Sequence, residues 1–276
     1  MLTQALPDLN AWTRRFSEAE IPVLPGTAQE IEALRQINDA SDSVDAHQLA
    51  QSIAGDPLMT LKVLSHVAKH RPSRLVTDAE TVTAAIVLMG IGPFFRAFDR
   101  LKTIDEHLQD QPVALRGLQR VLKRAYRAAN FALGFAVHRM DNDAAIIQEA
   151  ALLHDFAEML LWCHAPSLAV EIAKRQHADP TLRSAVVQRS VLNVELGELE
   201  QALMRVWRLP ELLIHITDDR HASHPQVRTV MLAIRLARHT QHGWDNAALP
   251  DDFADIAELL NVAPHVAQAK ALALDA

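Results

Sequence analysis

Apolar residues recur along this chain at spacings of three and four, the period that lines one face of a helix, and no convincing alternating strand interrupts the pattern. Thr27-Ala28-Gln29-Glu30 has the form of a capping box, in which a hydroxyl and a carboxylate satisfy opposite backbone amides, and Ile31, Leu34 and Ile37 follow on one face. Asp56-Pro57 predicts another start, with the aspartate as cap and the proline at the first helical position; Leu58, Leu61, Val63 and Leu64 follow. A further helix is expected from Thr77 or Asp78. It carries Val82, Ala85, Ile86 and Met89 and is punctuated by Gly90 and Gly92, with Pro93 opening the next segment.

The polar stretch from Asp105 to Pro112 is the best internal boundary, and it divides the chain into residues 1–110 and 111–276. Beyond it, Leu118, Val121, Leu122, Ala125, Ala129, Ala132, Leu133 and Ala136 recur at helical spacing, and Asp141-Asn142-Asp143 reads as a turn. The run Ala150 to Leu161 reads as one helix containing His154-Asp155 and ending near Pro166. On such a helix Ala150, Leu153, His154, Ala157 and Leu161 share a face, which points His154 toward the core. Asp179-Pro180 and Leu209-Pro210 mark two more starts, and Val227, Val230, Met231, Ile234 and Ala237 form another stripe. The expected fold class is all-α.

Composition narrows the function classes. With 49% hydrophobic and 22% charged residues, wholesale disorder is excluded. A net charge of -7 argues against broad nucleic-acid binding, which needs a clustered cationic surface. The single cysteine, Cys163, excludes an intramolecular disulfide and a thiolate-rich zinc site. No basic segment followed by an apolar core opens the chain, and no apolar run approaches the ~20 residues that span a bilayer, so a cytoplasmic location without membrane insertion is expected.

His154-Asp155 is the leading candidate for chemistry. A neutral imidazole and a carboxylate can bind metal, and two metals can activate a hydroxide for phosphoester attack. The alternative is a buried pair hydrogen-bonded to neighbouring helices. His66 and His70 stand at a zinc-compatible i, i+4 spacing, without the glutamate of the protease motif or an evident third ligand. His221 with His224, and His239 with His242, are coincidences to be expected among 14 histidines. Gly90-Ile91-Gly92 lacks the preceding strand and following lysine of a phosphate loop, and no Gly-x-Ser-x-Gly elbow occurs. Cys163 and His164, as helix neighbours, point about 100° apart and make no catalytic pair. Lys123, Arg124 and Arg127 are candidate anion-binding residues, though a solvated helix face explains them equally well. Trp162, Trp207 and Trp244 are expected to pack in the core or line a groove.

Several segments together carry a family resemblance. Ile21-Pro22-Val23-Leu24-Pro25, and then Ala54-Gly55-Asp56-Pro57 through Leu64, resemble the N-terminal half of the HDOD domain, a bacterial relative of the HD phosphohydrolases associated with signalling. Val82 to Gly92 looks like its next landmark, Ala151-Leu152-Leu153-His154-Asp155 its HD segment, and Val206-Trp207-Arg208-Leu209-Pro210 its Trp-x-Leu-Pro landmark. The resemblance spans roughly Ile21 to Leu236. It implies an N-terminal helical bundle packed on a degenerate HD-like bundle. The departures are as informative. Tyr126 stands where an HD enzyme carries a metal-binding histidine, Leu196 lies where many members keep another, and His221 is a remnant of a histidine cluster. No Gly-Tyr-Pro of the cyclic-di-GMP phosphodiesterases follows Asp155. The resemblance with these departures implies a non-catalytic bacterial signalling module without metal or cofactor, acting through protein partners or a small effector. The alternative it leaves is a metal-dependent phosphohydrolase of a nucleotide or cyclic dinucleotide.

Overall fold

The computed structural model of the protein describes residues 1–70, 79–179 and 181–275. Seventeen α-helices lie among the described residues, with no sheet; a lone parallel bridge joins Val23 to Thr103. In chain order the helices are α1 (Leu9–Ser17), α2 (Pro25–Ser41), α3 (Ala46–Ile53), α4 (Pro57–His70), α5 (Val82–Met89), α6 (Ile91–Ala97), α7 (Ile104–His107), α8 (Pro112–His138) and α9 (Ala144–Leu153). They continue as α10 (Phe156–His164), α11 (Pro166–Ala178), α12 (Ser184–Leu192), α13 (Leu196–Val206), α14 (Glu211–Ile216), α15 (Pro225–His239), α16 (Leu249–Leu260) and α17 (Pro264–Leu274). A single 3-10 turn, Asp219–His221, separates α14 from α15.

The chain gathers into two compact units, each built from two pieces of sequence. The first holds Met1–Val121 and Asp155–Pro210, and the second Leu122–His154 and Glu211–Ala276. The polar stretch at residues 105–112 spans α7 and the start of α8, all of it in the first unit. In the first unit α1 packs on α13, α3 and α4 on α5, α10 on α4, α11 and α13, and α11 on α12. In the second, α15 packs on α9 and α16, α16 on α17, and α14 on α9.

Asp56 joins two helix starts. Its Oδ1 accepts the amides of Leu58 and Met59 at 3.0 Å each, capping α4, and its Oδ2 accepts the Leu24 amide at 2.7 Å, at the N-cap of α2. The residue is wholly buried. Burial pushes its carboxyl up from the ordinary aspartate range, and hydrogen bonds from Leu24, Met59, Thr27 and Leu58 oppose that push. This arrangement corrects the expected capping box at Thr27. The helix begins earlier, at Pro25, and the Thr27 hydroxyl turns to Asp56 instead. Ile31 is buried as its stripe requires, whereas Ile37 on the same helix is 50% exposed.

The helix expected at Thr77 or Asp78 has that start outside the described residues; its described part opens at Val82, capped by the Thr81 hydroxyl. Gly90 ends it at φ +84° and also opens α6, a reversal that L side chains rarely adopt. Pro180 likewise lies outside the described residues, and the helix that follows starts at Ser184. The Leu209-Pro210 start is realised by α14. In the first unit Gly117 lies so close to the Trp162 ring that a Cβ there would stand 2.5 Å from it.

Two substitutions check this account by urea unfolding at neutral pH. Asp56→Asn keeps an oxygen for α4 but turns an N–H donor toward the Leu24 amide; a loss of about 1–3 kcal/mol is expected. Gly117→Ala forces a methyl into the indole and is expected to cost about 1–3 kcal/mol. A wild-type midpoint for either variant would contradict the contact on which it rests.

Candidate functional site

His154 and Asp155 do not lie within one helix. His154 caps the C-terminus of α9 and Asp155 stands at the N-cap of α10, and the division between the two units falls between them. The shared helical face expected for Ala150, His154 and Leu161 is therefore broken. His154, in the second unit, is largely covered and sets its Nε2 3.1 Å from Asp219 Oδ1. Asp155, in the first unit, is buried, and its main-chain carbonyl accepts the amides of Glu158 and Met159 at 3.1 and 3.2 Å.

Around Asp219 the second unit gathers histidines and carboxylates. The His221 ring lies 4.8 Å from that of His215, which lies 5.2 Å from that of His224. Asp218, buried at the start of the 3-10 turn, receives the Arg220 guanidinium on both oxygens, at 2.8 and 2.6 Å. Those hydrogen bonds hold the Asp218 carboxyl below the usual range. His221 Nδ1 stands 3.6 Å from the same carboxylate, and its side chain is 51% exposed. Among the described residues no three histidines, cysteines or carboxylates converge as a metal site requires.

The other sequence candidates separate. Tyr126 is 51% exposed on α8. Leu196 opens α13 in the first unit, buried, its amide bonded to Gln188. Of the three basic candidates, Lys123 is exposed and Arg124 partly buried. Arg127 is committed to the second unit's own fold. Its guanidinium grips Asp275 through two 2.7 Å bonds, donates to the Thr240 hydroxyl at 2.8 Å, and lies over the Phe131 ring.

The remaining histidine pairs also serve local packing. His70 Nδ1 bonds the His66 carbonyl at 2.8 Å and the two rings stand 4.2 Å apart. His239 binds Asp252 at 2.6 Å, and Arg235 reaches the other oxygen of that buried carboxylate at 2.7 Å. The Cys163 thiol, pushed up to about 12 by burial, is chemically quiet. Trp162 is buried, Trp207 packs against Phe156, and Trp244 stacks on Phe253.

Residues 21–223 match the family model of the HDOD domain. The chain belongs to the HDOD domain family. Solved structures bear out the fold. A response regulator, MmoQ, from Methylococcus capsulatus is similar with a TM-score of 0.67 at 16% identity, over 92% of this chain and 99% of that one. A virulence factor from Campylobacter jejuni is similar at 0.66 and 18%, over 93% and 90%. An HDOD domain protein of unknown function from Geobacter sulfurreducens is similar at 0.51 and 15%, over 97% of each chain. No curated protein matches this chain. The HDOD match begins at Ile21, in the segment that leads into α2, and ends just beyond the 3-10 turn that faces His154.

Sequence reasoning passed over Asp218, Asp219 and Arg220 as site residues, although Thr217-Asp218-Asp219-Arg220-His221 was visible as a polar run. Three charged residues around one turn carry no periodicity that would single them out. Arg127→Lys provides a test of the clamp on Asp275 and Thr240. Lysine cannot form the two-pronged grip on Asp275, and a loss of about 1–3 kcal/mol in thermal unfolding is expected; an unchanged melting temperature would show the clamp to be idle.

Proposed function

We propose that this HDOD protein is a non-catalytic signalling module of a bacterial cytoplasm, working through protein partners or a small effector. The observation that carries the reading is Asp218. This buried carboxylate beside His221 already holds an arginine on both oxygens, so it is not offered to a metal. Two further positions, each taken by itself, support the same reading. Tyr126 brings a half-exposed phenol in place of an imidazole, and Leu196 brings no donor at all. The donors among the described residues do not fit the metal centre of an HD phosphohydrolase.

The same region suits recognition. Imidazoles, carboxylates and a guanidinium at the surface of one turn form directional hydrogen bonds with a partner. None of the described helices is long and apolar enough to cross a membrane. The membrane-free, nucleic-acid-free character of the proposed partners rests on that and on the net charge of -7.

The test is metal content and turnover. Protein purified without a metal-affinity tag is expected to carry no stoichiometric Fe, Mn or Zn. It is also expected to leave cyclic-di-GMP intact in the presence of Mn, Fe or Mg. One or two metal ions per chain, lost in His154→Ala, or turnover lost in Asp155→Ala and kept in Cys163→Ala, would establish the phosphohydrolase instead.

A further inference from the structure

A second histidine pair, in the first unit, lies apart from the HD region. His107 on α7 and His164 at the end of α10 meet edge to face, their ring centroids 5.1 Å apart. Each spends Nε2 on a main-chain carbonyl. His107 reaches Cys163 O at 3.0 Å, and His164 reaches Glu20 O at 2.9 Å, in the link between α1 and α2. A carbonyl only accepts, so each ring carries its proton on Nε2. The remaining nitrogen of His107, Nδ1, is buried with no hydrogen-bond partner. A second proton there would become a buried N–H without an acceptor, next to another imidazole.

The surrounding charges are mostly of the wrong sign for an imidazolium. Arg15 on α1, Lys102 ahead of α7 and the N-terminal amine all repel one. Glu20 attracts His107, but its carboxylate is already paired with Lys62 at 2.5 Å. Cys163 stays a neutral thiol. Burial first, and then His107, push His164 down to about 4, and burial also lowers His107.

His164, against which His107 packs, holds the segment around α1. The His164 carbonyl accepts the Leu2 amide at 2.7 Å while its ring holds Glu20 O, so one residue grips both ends of the segment that contains α1. Phe16 of α1 lies against the same ring at 5.8 Å. Other polar ties of the segment run from Asn193 to Leu6 O, from the Trp12 indole to Leu192 O, from the Trp207 indole to Ser17 O, from Ser167 to Leu2 O and from Lys62 to Glu20. Beneath α1 lies α13, whose buried face includes Leu199 and Leu203.

We propose that His107 and His164 form an acid-opened latch on residues 2–20, and that its opening bares the face of α13 that α1 covers. The sign follows from linkage. A histidine that resists protonation when closed and titrates normally when open favours the open form as pH falls below 6.5. The effect continues until the closed form itself accepts the proton, near 4 for His164. For His164 alone, a shift from 6.5 to about 4 raises the opening constant ~30-fold between pH 8 and pH 5.

Hydrogen exchange of the full chain, corrected for the intrinsic pH dependence of exchange, reads this directly. Peptides within residues 2–17 are expected to lose about thirty-fold in protection between pH 8 and pH 5, while the buried stretch Leu58–Leu64 of α4 changes little. In His164→Gln the side-chain amide can still donate to Glu20 O but cannot titrate, and most of the pH step should vanish; His107→Gln should remove the remainder. Equal loss in α4 would mean that the whole unit opens, and a step that persists in the double variant would mean that other groups drive it; either result overturns the latch. Should the variants fail to fold, the wild-type comparison between residues 2–17 and α4 decides alone. The readout is independent of whether the protein signals or hydrolyses.

Discussion

One buried carboxylate fixes the geometry of the N-terminal helices. Asp56 caps its own helix, as aspartates before proline commonly do, and with its other oxygen it takes the amide at the start of a helix 32 residues earlier. Two helix N-termini both direct positive dipole ends and unpaired N–H groups outward. A single carboxylate placed between them answers both, which is why it is found wholly buried with no cationic partner among the described residues. Everything stacked on α2 and α4, including the α3 and α5 layer, takes its position from that junction.

The same junction marks the limit of what the sequence reveals. Asp56-Pro57, Leu209-Pro210 and the stripe from Val227 to Ala237 were legible because cap, proline and periodicity are local signals. The start of α2 was not, because the group serving it comes from another helix; Thr27 and Glu30 imitated a capping box inside a turn already begun. The C-terminal pair α16 and α17 went unread, although Pro264 stands at the start of α17 and Asn261 ends α16 at φ +52°. The all-α class and the HDOD family were legible because landmarks in order survive low identity.

The candidate site was legible only in part. Apolar residues continue unbroken through residues 150–161, so nothing in the pattern announces that the helix stops at His154 and restarts after Asp155. Side chains that a periodic reading sets on one face are thereby assigned to different units. Asp219, the carboxylate that meets His154, comes from 65 residues away, and Asp218 is filled by an arginine only two residues along. Neither fact has a local signature. Together they set His154 against Asp219 while Asp218 is held by Arg220.

The interleaving of the two units orders how the chain can be completed. The ribosome emits Leu122–His154, part of the second unit, before Asp155–Pro210, which the first unit needs. Trp12 must therefore wait for the Leu192 carbonyl, 180 residues downstream. At a synthesis rate of roughly 5–20 residues per second, that is roughly 10–40 s during which α1 has no α13 to lie on. The apolar face of α1, with Trp12 and Phe16, thus stands without its partner through most of synthesis, which gives a chaperone reason to hold it.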